Sequence, residues 1–308
     1  MSEEIVLETR DLVRRFGAVT AVDGLSLRIR RGDVYGFLGL NGSGKTTTLR
    51  CALDLLAPSA GEVRLFGVAS AAGRRAARAR IGAMVEAPAF FSHLSGRRNL
   101  ALLAGLSGPL ARNAIDEVLE LVGLEAAADR RAGHYSLGMK QRLAIALALV
   151  GQPEFVILDE PTNGLDPNGI LEMRRLIQRL NRERGVTFLV SSHLIHEIEL
   201  VGTRVAIIDR GRLLLEEPME GLAERLGAGY RLRARDLPGA RKVLAALGAR
   251  DLADGDGELR FGYEETALPD LHAELARAEC GLLTLEARRR SLEELFLELA
   301  ARDAGTLT

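Results

Sequence analysis

Apolar and polar positions follow two different patterns along the chain, with the change near residue 217. In the first part, short uniformly apolar runs alternate with longer segments of helical period. The apolar runs predict buried strands at residues 34–38, 82–85, 155–158, 187–190 and 205–208. The segments of helical period predict helices at residues 46–56, 139–150 and 169–180. Buried strands separated by helices are typical of a parallel sheet covered on both faces.

Two further segments of the first part alternate apolar with polar residues, at 25–30 and 63–66. Strict alternation is typical of half-exposed antiparallel strands. The first part is therefore predicted to be a mixed α/β domain, and we place it at residues 1–218.

The second part, residues 219–308, is predicted to be a small α+β domain. Alternating patterns indicate strands at residues 230–234, 258–263 and 282–287, the second preceded by a turn-forming run at 254–257. Helices are predicted at 239–247, 268–278 and 291–300, the last beginning at the cap-like Ser291 with Glu294 three residues on. This order is compatible with a ferredoxin-like module.

Composition restricts the class of protein. Of 308 residues, 47% are hydrophobic and 27% charged, which excludes disordered and disulfide-scaffold classes. The 41 basic and 42 acidic residues leave a formal charge of -1, without the positive field typical of nucleic-acid binders. No nucleic-acid partner is therefore expected.

Cysteine usage and the longest apolar stretch bear on the compartment. Cys51 and Cys280 are far apart in the sequence, so a disulfide framework is not expected and a reducing cytoplasm fits. The amino-terminal segment is acidic, unlike a signal peptide, so the chain itself is not expected to be secreted. The apolar stretch at 143–150 is far shorter than the roughly 20 residues that cross a bilayer. Any membrane association is expected to come through a partner.

A glycine-rich segment directly after the strand at 34–38 matches the pattern G-x-x-x-x-G-K-[ST] and precedes a helix. In this context glycines turn backbone N–H groups toward phosphates, Lys45 reaches the β- and γ-phosphates, and Thr46 offers a hydroxyl to Mg²⁺. The residues predicted to bind phosphate are Gly39, Asn41, Gly42, Ser43, Gly44, Lys45, Thr46 and Thr47. The alternative is a glycine-rich turn that only caps a helix, but such a turn does not explain the lysine at this spacing.

Two carboxylates end the strand at 155–158. Asp159 is expected to hold a metal ion through water, and Glu160 to orient or deprotonate an attacking water. Ligands of open α/β folds bind at this carboxyl edge of the sheet. A solvated acidic turn is the alternative, but it does not explain the neighbouring phosphate motif. Together, the two motifs leave kinases, GTPases and many ATPases open.

A third segment narrows that choice. Residues 135–143, which open the helix before the acidic strand, resemble the signature sequence of ATP-binding-cassette (ABC) proteins. Ser136 and Gly138 match the usual Leu-Ser-Gly-Gly-Gln, whereas Tyr135, Leu137 and Met139 depart from it as they do in many bacterial exporters. The resemblance covers nearly all of residues 5–217. It implies an α/β P-loop ATPase domain with a mixed sheet core, an antiparallel β subdomain and a helical subdomain.

The resemblance also implies roles for single residues. It places Phe16 against adenine, His193 against the γ-phosphate and the catalytic carboxylate, and Ser136 with Gly138 on the γ-phosphate bound by the other subunit of a dimer. Residues 163–166, ending in Asp166, correspond to the loop that couples the two sites. Taken alone, an exposed histidine or aromatic residue would indicate nothing of the kind.

One position departs from the family. Glu86 stands where most members have Gln, whose oxygen touches Mg²⁺ and the attacking water, and a carboxylate can supply the same oxygen. Glu at this position, with the sequence that follows it, resembles exporters of lantibiotics, bacitracin-like peptides and other antibiotics. The alternative is a loop whose sequence has changed without any consequence for function.

The end of the chain resembles the accessory domain of drug-exporter ATPases. Its apolar stripe is expected to be core or dimer contact, because the opposite face of the helix is acidic. That stripe consists of Leu292, Leu295, Phe296 and Leu299.

The resemblance thus implies the ATP-hydrolysing subunit of a bacterial exporter. Its cofactors would be ATP and Mg²⁺, and its partners a second copy and an integral-membrane permease at the cytoplasmic face of the membrane. The alternatives are an ABC ATPase that acts on the ribosome or on DNA, and a P-loop phosphotransferase. The former would carry a second cassette or a long heptad insertion, and the latter would lack the Ser136 segment.

Overall fold

The computed structural model describes residues 4–69, 71–86, 89–106, 108–226, 228–255, 257–289, 292 and 294–296. The chain divides into two compact units, Met1–Met219 and Glu220–Thr308. Among the described residues, no helix combines the length and the apolar character needed to span a bilayer.

Nine strands and seven helices make up the described part of the first unit. The strands are β1 Ile5–Phe16, β2 Val19–Arg30, β3 Val34–Leu38, β4 Ala60–Leu65, β5 Ile81–Met84, β6 Phe155–Asp159, β7 Thr187–Ser192, β8 Arg204–Asp209 and β9 Arg212–Pro218. The helices are α1 Lys45–Ala52, α2 Ala71–Arg78, α3 Gly96–Gly105, α4 Ala114–Leu121, α5 Leu137–Leu149, α6 Pro167–Arg184 and α7 Ile195–Glu199.

A six-stranded sheet of order β5-β6-β7-β3-β8-β9 forms the centre of this unit. Its first five strands are parallel and β9 is antiparallel to β8. All five predicted apolar strands lie in it, and β3, β6 and β7 are buried along their whole length. The prediction of a parallel sheet is therefore confirmed, and the loops that follow β3, β6 and β7 meet at one edge of the sheet.

A second, antiparallel sheet of order β2-β1-β4 contains both alternating segments, as predicted. Its apolar face and the central sheet share one core, which includes Leu27 of β2, Phe37 of β3, Leu49 of α1 and Phe155 of β6. Because α1 packs into this core, the loop between β3 and α1 is held from both ends. Helices α3, α4 and α5 contact one another and form the helical part of the unit.

The first predicted helix was too long: α1 ends at Ala52 rather than at residue 56. Asp54 takes a positive φ of 56°, and the N–H groups of Leu55 and Leu56 both bond to the carbonyl of Arg50. A residue in the left-handed region stops a helix in this way, although most such residues are glycine. The Asp54 carboxylate pairs with Arg74 and Arg78 of α2, which stabilises the turn.

Helix α8, Met219–Leu226, begins at the boundary between the units. The second unit then has the order β-α-β-β-α-β, with elements β10 Ala228–Ala234, α9 Leu237–Ala246, β11 Arg250–Gly255, β12 Glu258–Gly262, α10 Leu268–Arg277 and β13 Leu282–Arg289. The sheet order β11-β12-β10-β13 and its antiparallel pairs are those of a ferredoxin-like module. Strand β11 was not predicted from the sequence.

Helices α9 and α10 share one apolar core with the sheet of the second unit, including Leu232, Leu244, Phe261 and Leu275. Of the predicted terminal helix 291–300, Ser291, Glu293 and residues 297–300, with Leu299 of the apolar stripe, lie outside the described residues. Leu292 and Phe296 of that stripe are buried.

Candidate nucleotide-binding site

The loop between β3 and α1 accepts only glycine at two positions. A Cβ on Gly39 would lie 2.4 Å from Ser43 Oγ and 2.6 Å from the carbonyl oxygen of Ile208. Gly44 has a φ of 106°, and a Cβ there would lie 2.4 Å from the carbonyl oxygen of Ala21. Ser43 is buried, and among the described residues its Oγ has no hydrogen-bond partner. An unpaired hydroxyl beside tightly turned backbone fits a bound phosphate group.

Lys45 is the first residue of α1 and is only 6% exposed. Its Nζ donates to the carbonyls of Gly39 at 2.7 Å and Leu40 at 3.3 Å, and lies 3.2 Å from Glu160 Oε1. These contacts hold the ammonium at the loop. Asn41 and Gly42 lie exposed at the tip of the loop, and Thr47 is half-buried on α1.

Thr46 and Asp159 lie side by side at the carboxyl edge of the sheet. Thr46 Oγ1 donates to Asp159 Oδ2 at 2.8 Å, and Ser191 Oγ donates to Asp159 Oδ1 at 2.5 Å. Ser191 stands opposite Asp159 in the parallel register of β6 and β7. A hydroxyl and a carboxylate together form an oxygen donor set of the kind that Mg²⁺ prefers, so these residues fit that ion.

Glu160 lies between two basic side chains. One carboxylate oxygen is 3.2 Å from Lys45 Nζ and the other is 2.6 Å from His193 Nδ1. The backbone N–H of Glu160 donates to both the carbonyl and the Oγ of Ser191 at the end of β7. Glu160 takes a positive φ of 50°, which turns the chain sharply after the strand. The structure thus brings Lys45, Thr46, Asp159, Glu160 and His193 together at one edge of the sheet.

A separate hollow lies between the amino termini of α5 and α6. Ser136 caps α5 by accepting from Met139 N–H at 3.2 Å, and Asp166 caps α6 by accepting from Gly169 N–H at 2.9 Å. Gly138 and Gly164 also line the hollow. Its lining comes from Ser136, α5, α6 and residues 164–166, and Lys45, the first residue of α1, does not line it.

Two predicted site residues make contacts that the sequence did not indicate. Glu86 has a positive φ of 73°, is mostly exposed, and forms an ion pair with Arg50 of α1. Phe16 is 45% exposed, and the Arg14 guanidinium lies 4.5 Å from its ring centroid. One face of that ring is therefore covered by a cation, and an adenine would have the other.

Sequence reasoning missed Ser191 and Arg50. Ser191 could have been found by aligning the predicted strands in parallel, since it then falls beside Asp159. Arg50 carried no local signal, because its partner Glu86 is remote in sequence.

Comparison with known proteins identifies the family of the chain. Residues 22–163 match the family model described as "ABC transporter". The bacitracin transport ATP-binding protein BcrA of Enterococcus faecalis is 35% identical over 97% of this chain and 97% of its own length. BcrA of Bacillus licheniformis is 48% identical over 71% of this chain and 72% of its own length. The Nod factor export ATP-binding protein I of Paraburkholderia xenovorans is 37% identical over 97% of this chain and 98% of its own length.

Solved structures of similar fold include CbiO1 of Clostridium perfringens, part of the ABC transporter complex CbiONQ. It superposes with a TM-score of 0.65 at 30% identity, over 80% of this chain and 96% of that one. The ATP-binding cassette MJ0796, a post-hydrolysis dimer bound to ADP and phosphate, superposes with a TM-score of 0.62 at 26% identity. The match covers 69% of this chain and 98% of that one. The chain therefore belongs to the ABC transporter family, and it is an ATP-binding and ATP-hydrolysing subunit.

Proposed function

We propose that this chain drives the export of peptide antibiotics or similar hydrophobic compounds through a separate membrane-spanning permease. Residues 1–218 form the nucleotide-binding domain, and residues 219–308 an accessory domain. Two copies work together at the cytoplasmic face of the membrane. Two sets of relatives support export: BcrA proteins, named for bacitracin transport, and Nod factor export proteins.

The observation that supports the hydrolytic part of the proposal is the position of Glu160, between Lys45 and His193 and directly after Asp159. ATP hydrolysis needs a base that orients water beside the γ-phosphate, and a group that stabilises the charge which develops there. Glu160 serves as the base. Lys45 binds the β- and γ-phosphates, and His193 holds Glu160 and contacts the γ-phosphate.

Thr46 and Asp159 would hold Mg²⁺, with Glu86 as a further oxygen ligand once it leaves Arg50. The ion, when bound, neutralises phosphate charge and orients the β- and γ-phosphates. Ser191 fixes the Asp159 carboxylate through its 2.5 Å hydrogen bond. The loop 39–44 supplies backbone N–H groups, and Phe16 offers its free ring face to adenine.

Each ATP site is composite, that is, built from residues of both copies. Ser136, Gly138 and Asp166 line a hollow built from helix amino termini, whose positive ends favour an anion. In the proposed dimer, this hollow closes over the γ-phosphate bound by Lys45 of the other copy. The dimeric state of the MJ0796 cassette supports this arrangement.

The test uses the chain together with its permease. The multi-spanning protein that co-purifies with the chain in mild detergent is identified first, and the two proteins are then expressed together in a bacitracin-sensitive bacterium. We expect bacitracin tolerance to rise with the wild type and not with Glu160→Gln, which binds ATP but cannot turn over. Purification with ribosomes instead of a membrane protein, with unchanged tolerance, would contradict the proposal.

A further inference from the structure

The four-stranded sheet of the second unit has an apolar face and a charged face. Residues of the apolar face, such as Leu232 of β10 and Phe261 of β12, share a core with α9 and α10. Because successive side chains of a strand point to opposite faces, the positions that alternate with these lie on the other face. We call that side the arginine face, after its residues Arg231 and Arg233 of β10 and Glu258 and Arg260 of β12.

Glu258 lies at the centre of the arginine face and is only 3% exposed. Its Oε1 is 3.1 Å from Nε of Arg260 and 3.3 Å from Nε of Arg231. Its Oε2 is 3.4 Å from Nη2 of Arg233, and this buried oxygen has no hydrogen-bond partner among the described residues. One positive charge is enough to balance a buried carboxylate. Three guanidinium groups around Glu258 therefore leave positive charge unbalanced.

This excess charge is unfavourable for the sheet itself. Arg231 and Arg260 stand directly opposite each other in the register of β10 and β12, and like charges in that position destabilise a strand pair. Glu286 of β13 stands opposite Arg231 on the other side, so three guanidinium groups still face only two carboxylates. The three arginine side chains are between 35% and 53% exposed. An anion from solvent can therefore reach them and offset the repulsion.

The guanidinium groups also hold N–H donors to spare. Of the three contacts with Glu258, only that of Arg260 is a hydrogen bond. Within the described part of the chain, the side chains of Arg231 and Arg233 donate no hydrogen bond. Gly255 of β11 stands opposite Glu258, and a Cβ there would lie 3.3 Å from the guanidinium carbon of Arg260. The glycine thus leaves room for a guanidinium that Glu258 holds in place, which reduces the ordering cost of binding a ligand.

We propose that the arginine face is a binding site for a phosphate group. The planar fork of a guanidinium binds phosphate through two parallel hydrogen bonds. A tetrahedral phosphate presents oxygens to several guanidinium groups at once, and its charge offsets the excess on this face. Inorganic phosphate and the headgroup of an anionic phospholipid share this chemistry. The site lies wholly within the second unit and requires neither the ATP site nor the proposed export.

The first test is isothermal titration calorimetry of the full-length chain with inorganic phosphate. The loop 39–44 is the same in all variants, so a difference between variants reports on the arginine face. We expect Arg231→Gln and Arg233→Gln each to weaken phosphate binding at least about tenfold, because each removes charge-assisted hydrogen bonds. Arg277→Gln removes the same charge from α10, where Arg277 pairs with Glu274, and should bind phosphate as wild type does.

A second variant keeps every ion pair of the arginine face. Thr284 is exposed on β13 and stands opposite Arg233 in the register. Thr284→Glu brings a carboxylate to the guanidinium groups and should weaken phosphate binding, whereas Thr284→Gln should leave it unchanged. Because Glu258 and its three partners remain, a loss of binding in Thr284→Glu does not come from an unpaired buried charge.

The source of the phosphate group is tested by flotation with vesicles of phosphatidylcholine, with and without phosphatidic acid. Flotation that needs phosphatidic acid, and that Arg231→Gln and Thr284→Glu lose, would support the site and identify the source as a lipid headgroup. Phosphate binding that the same variants lose, without flotation, would support the site and identify the source as soluble phosphate. Equal phosphate binding and equal flotation in wild type, Arg231→Gln and Thr284→Glu would overturn the proposal.

Discussion

The Nδ1 atom of His193 lies 2.6 Å from Oε2 of Glu160, and the backbone N–H of His193 lies 3.4 Å from the same oxygen. The contact joins the ends of two adjacent parallel strands, β6 and β7. It leaves Glu160 Oε1 directed to Lys45. A carboxylate held on both sides is pre-oriented for a bound nucleotide, which lowers the reorganisation that catalysis requires.

Glu160→Gln should therefore retain ATP binding and lose at least about a hundredfold in kcat, because an amide fills the same space but does not accept the proton. The ATP-bound dimer should accumulate. Steady-state hydrolysis and size-exclusion chromatography with MgATP measure the two effects. Glu183→Gln, an exposed carboxylate near the end of α6, serves as the control and should behave as wild type. A variant with near-normal turnover that stays monomeric would show that Glu160 is not the base.

Ser136→Ala tests the composite site. Because each proposed site needs residues of both copies, wild-type activity should rise more than linearly with protein concentration. The variant should bind ATP normally and hydrolyse it slowly. Because Ser136 also caps α5, the change should cost about 1 kcal/mol of stability as well.

Ser95→Ala provides the matched control for that loss of stability. Ser95 caps α3 by accepting from Arg98 N–H at 3.2 Å, the same geometry as at Ser136. It should lose comparable stability in urea unfolding and keep full ATPase activity. Equal ATPase loss in both variants would reduce Ser136 to a helix cap.

Glu154, which follows α5 and precedes β6, gives a pH-dependent prediction. Hydrogen bonds from Arg80, and then from Arg31, lower the pKa of Glu154 from 4.5 to about 2. Because the folded-state pKa is the lower one, the network stabilises the fold above pH 4.5, and this contribution disappears as the pH falls toward 2. The side chains are more than one third exposed, so the effect is modest.

The free energy of unfolding of wild type should therefore exceed that of Glu154→Gln at pH 7, and the difference should narrow at pH 3. Urea unfolding at both pH values measures it. A difference that stays constant across this range would mean that the carboxylate charge contributes nothing.

Much of this architecture was predictable from local sequence. The strand β3 lies at residues 34–38 as its uniformly apolar run indicated, because a strand buried on both faces carries its own signal. Lys45 and Thr46 follow from their spacing after the glycines. The roles of His193 and Phe16 came only from the resemblance to a family, since neither residue has a distinctive local pattern.

Strand β1 was missed because its pattern is irregular. Register shifts interrupt its pairing with both neighbours, and Asp11 takes a positive φ of 46°. A bulge changes which residues face the core, so the alternation that marks a strand disappears. The contact of Arg50 with Glu86 could not be predicted for another reason: it depends on how α1 packs beside the residues that follow β5, which local sequence does not encode. The contact of Ser191 with Asp159 could be predicted only once β6 and β7 were aligned as parallel neighbours.

Glu86 provides the last prediction. It pairs with Arg50 on α1, the helix that also carries Lys45 and Thr46. A carboxylate beside Mg²⁺ would strengthen cation binding and repel the γ-phosphate, so the two effects oppose each other. Glu86→Gln should therefore keep ATP binding and change basal hydrolysis by less than about tenfold, or roughly 1.4 kcal/mol of barrier. Transport should suffer more, since the resemblance implies that the loop containing Glu86 meets the membrane subunit, and we propose that it lies between nucleotide and permease.

Glu86→Ala removes the oxygen and should impair both hydrolysis and transport, whereas Arg50→Gln frees Glu86 and isolates the effect of the ion pair. If the pair restrains Glu86, Arg50→Gln should alter basal hydrolysis in the wild-type background and have no effect in Glu86→Ala. ATPase rate and substrate efflux are measured for all variants in membranes that contain the permease. Equal coupling of hydrolysis to efflux in wild type, Glu86→Gln and Glu86→Ala would make Glu86 an ordinary loop residue. The metal contact would then belong to Thr46 and Asp159 without it.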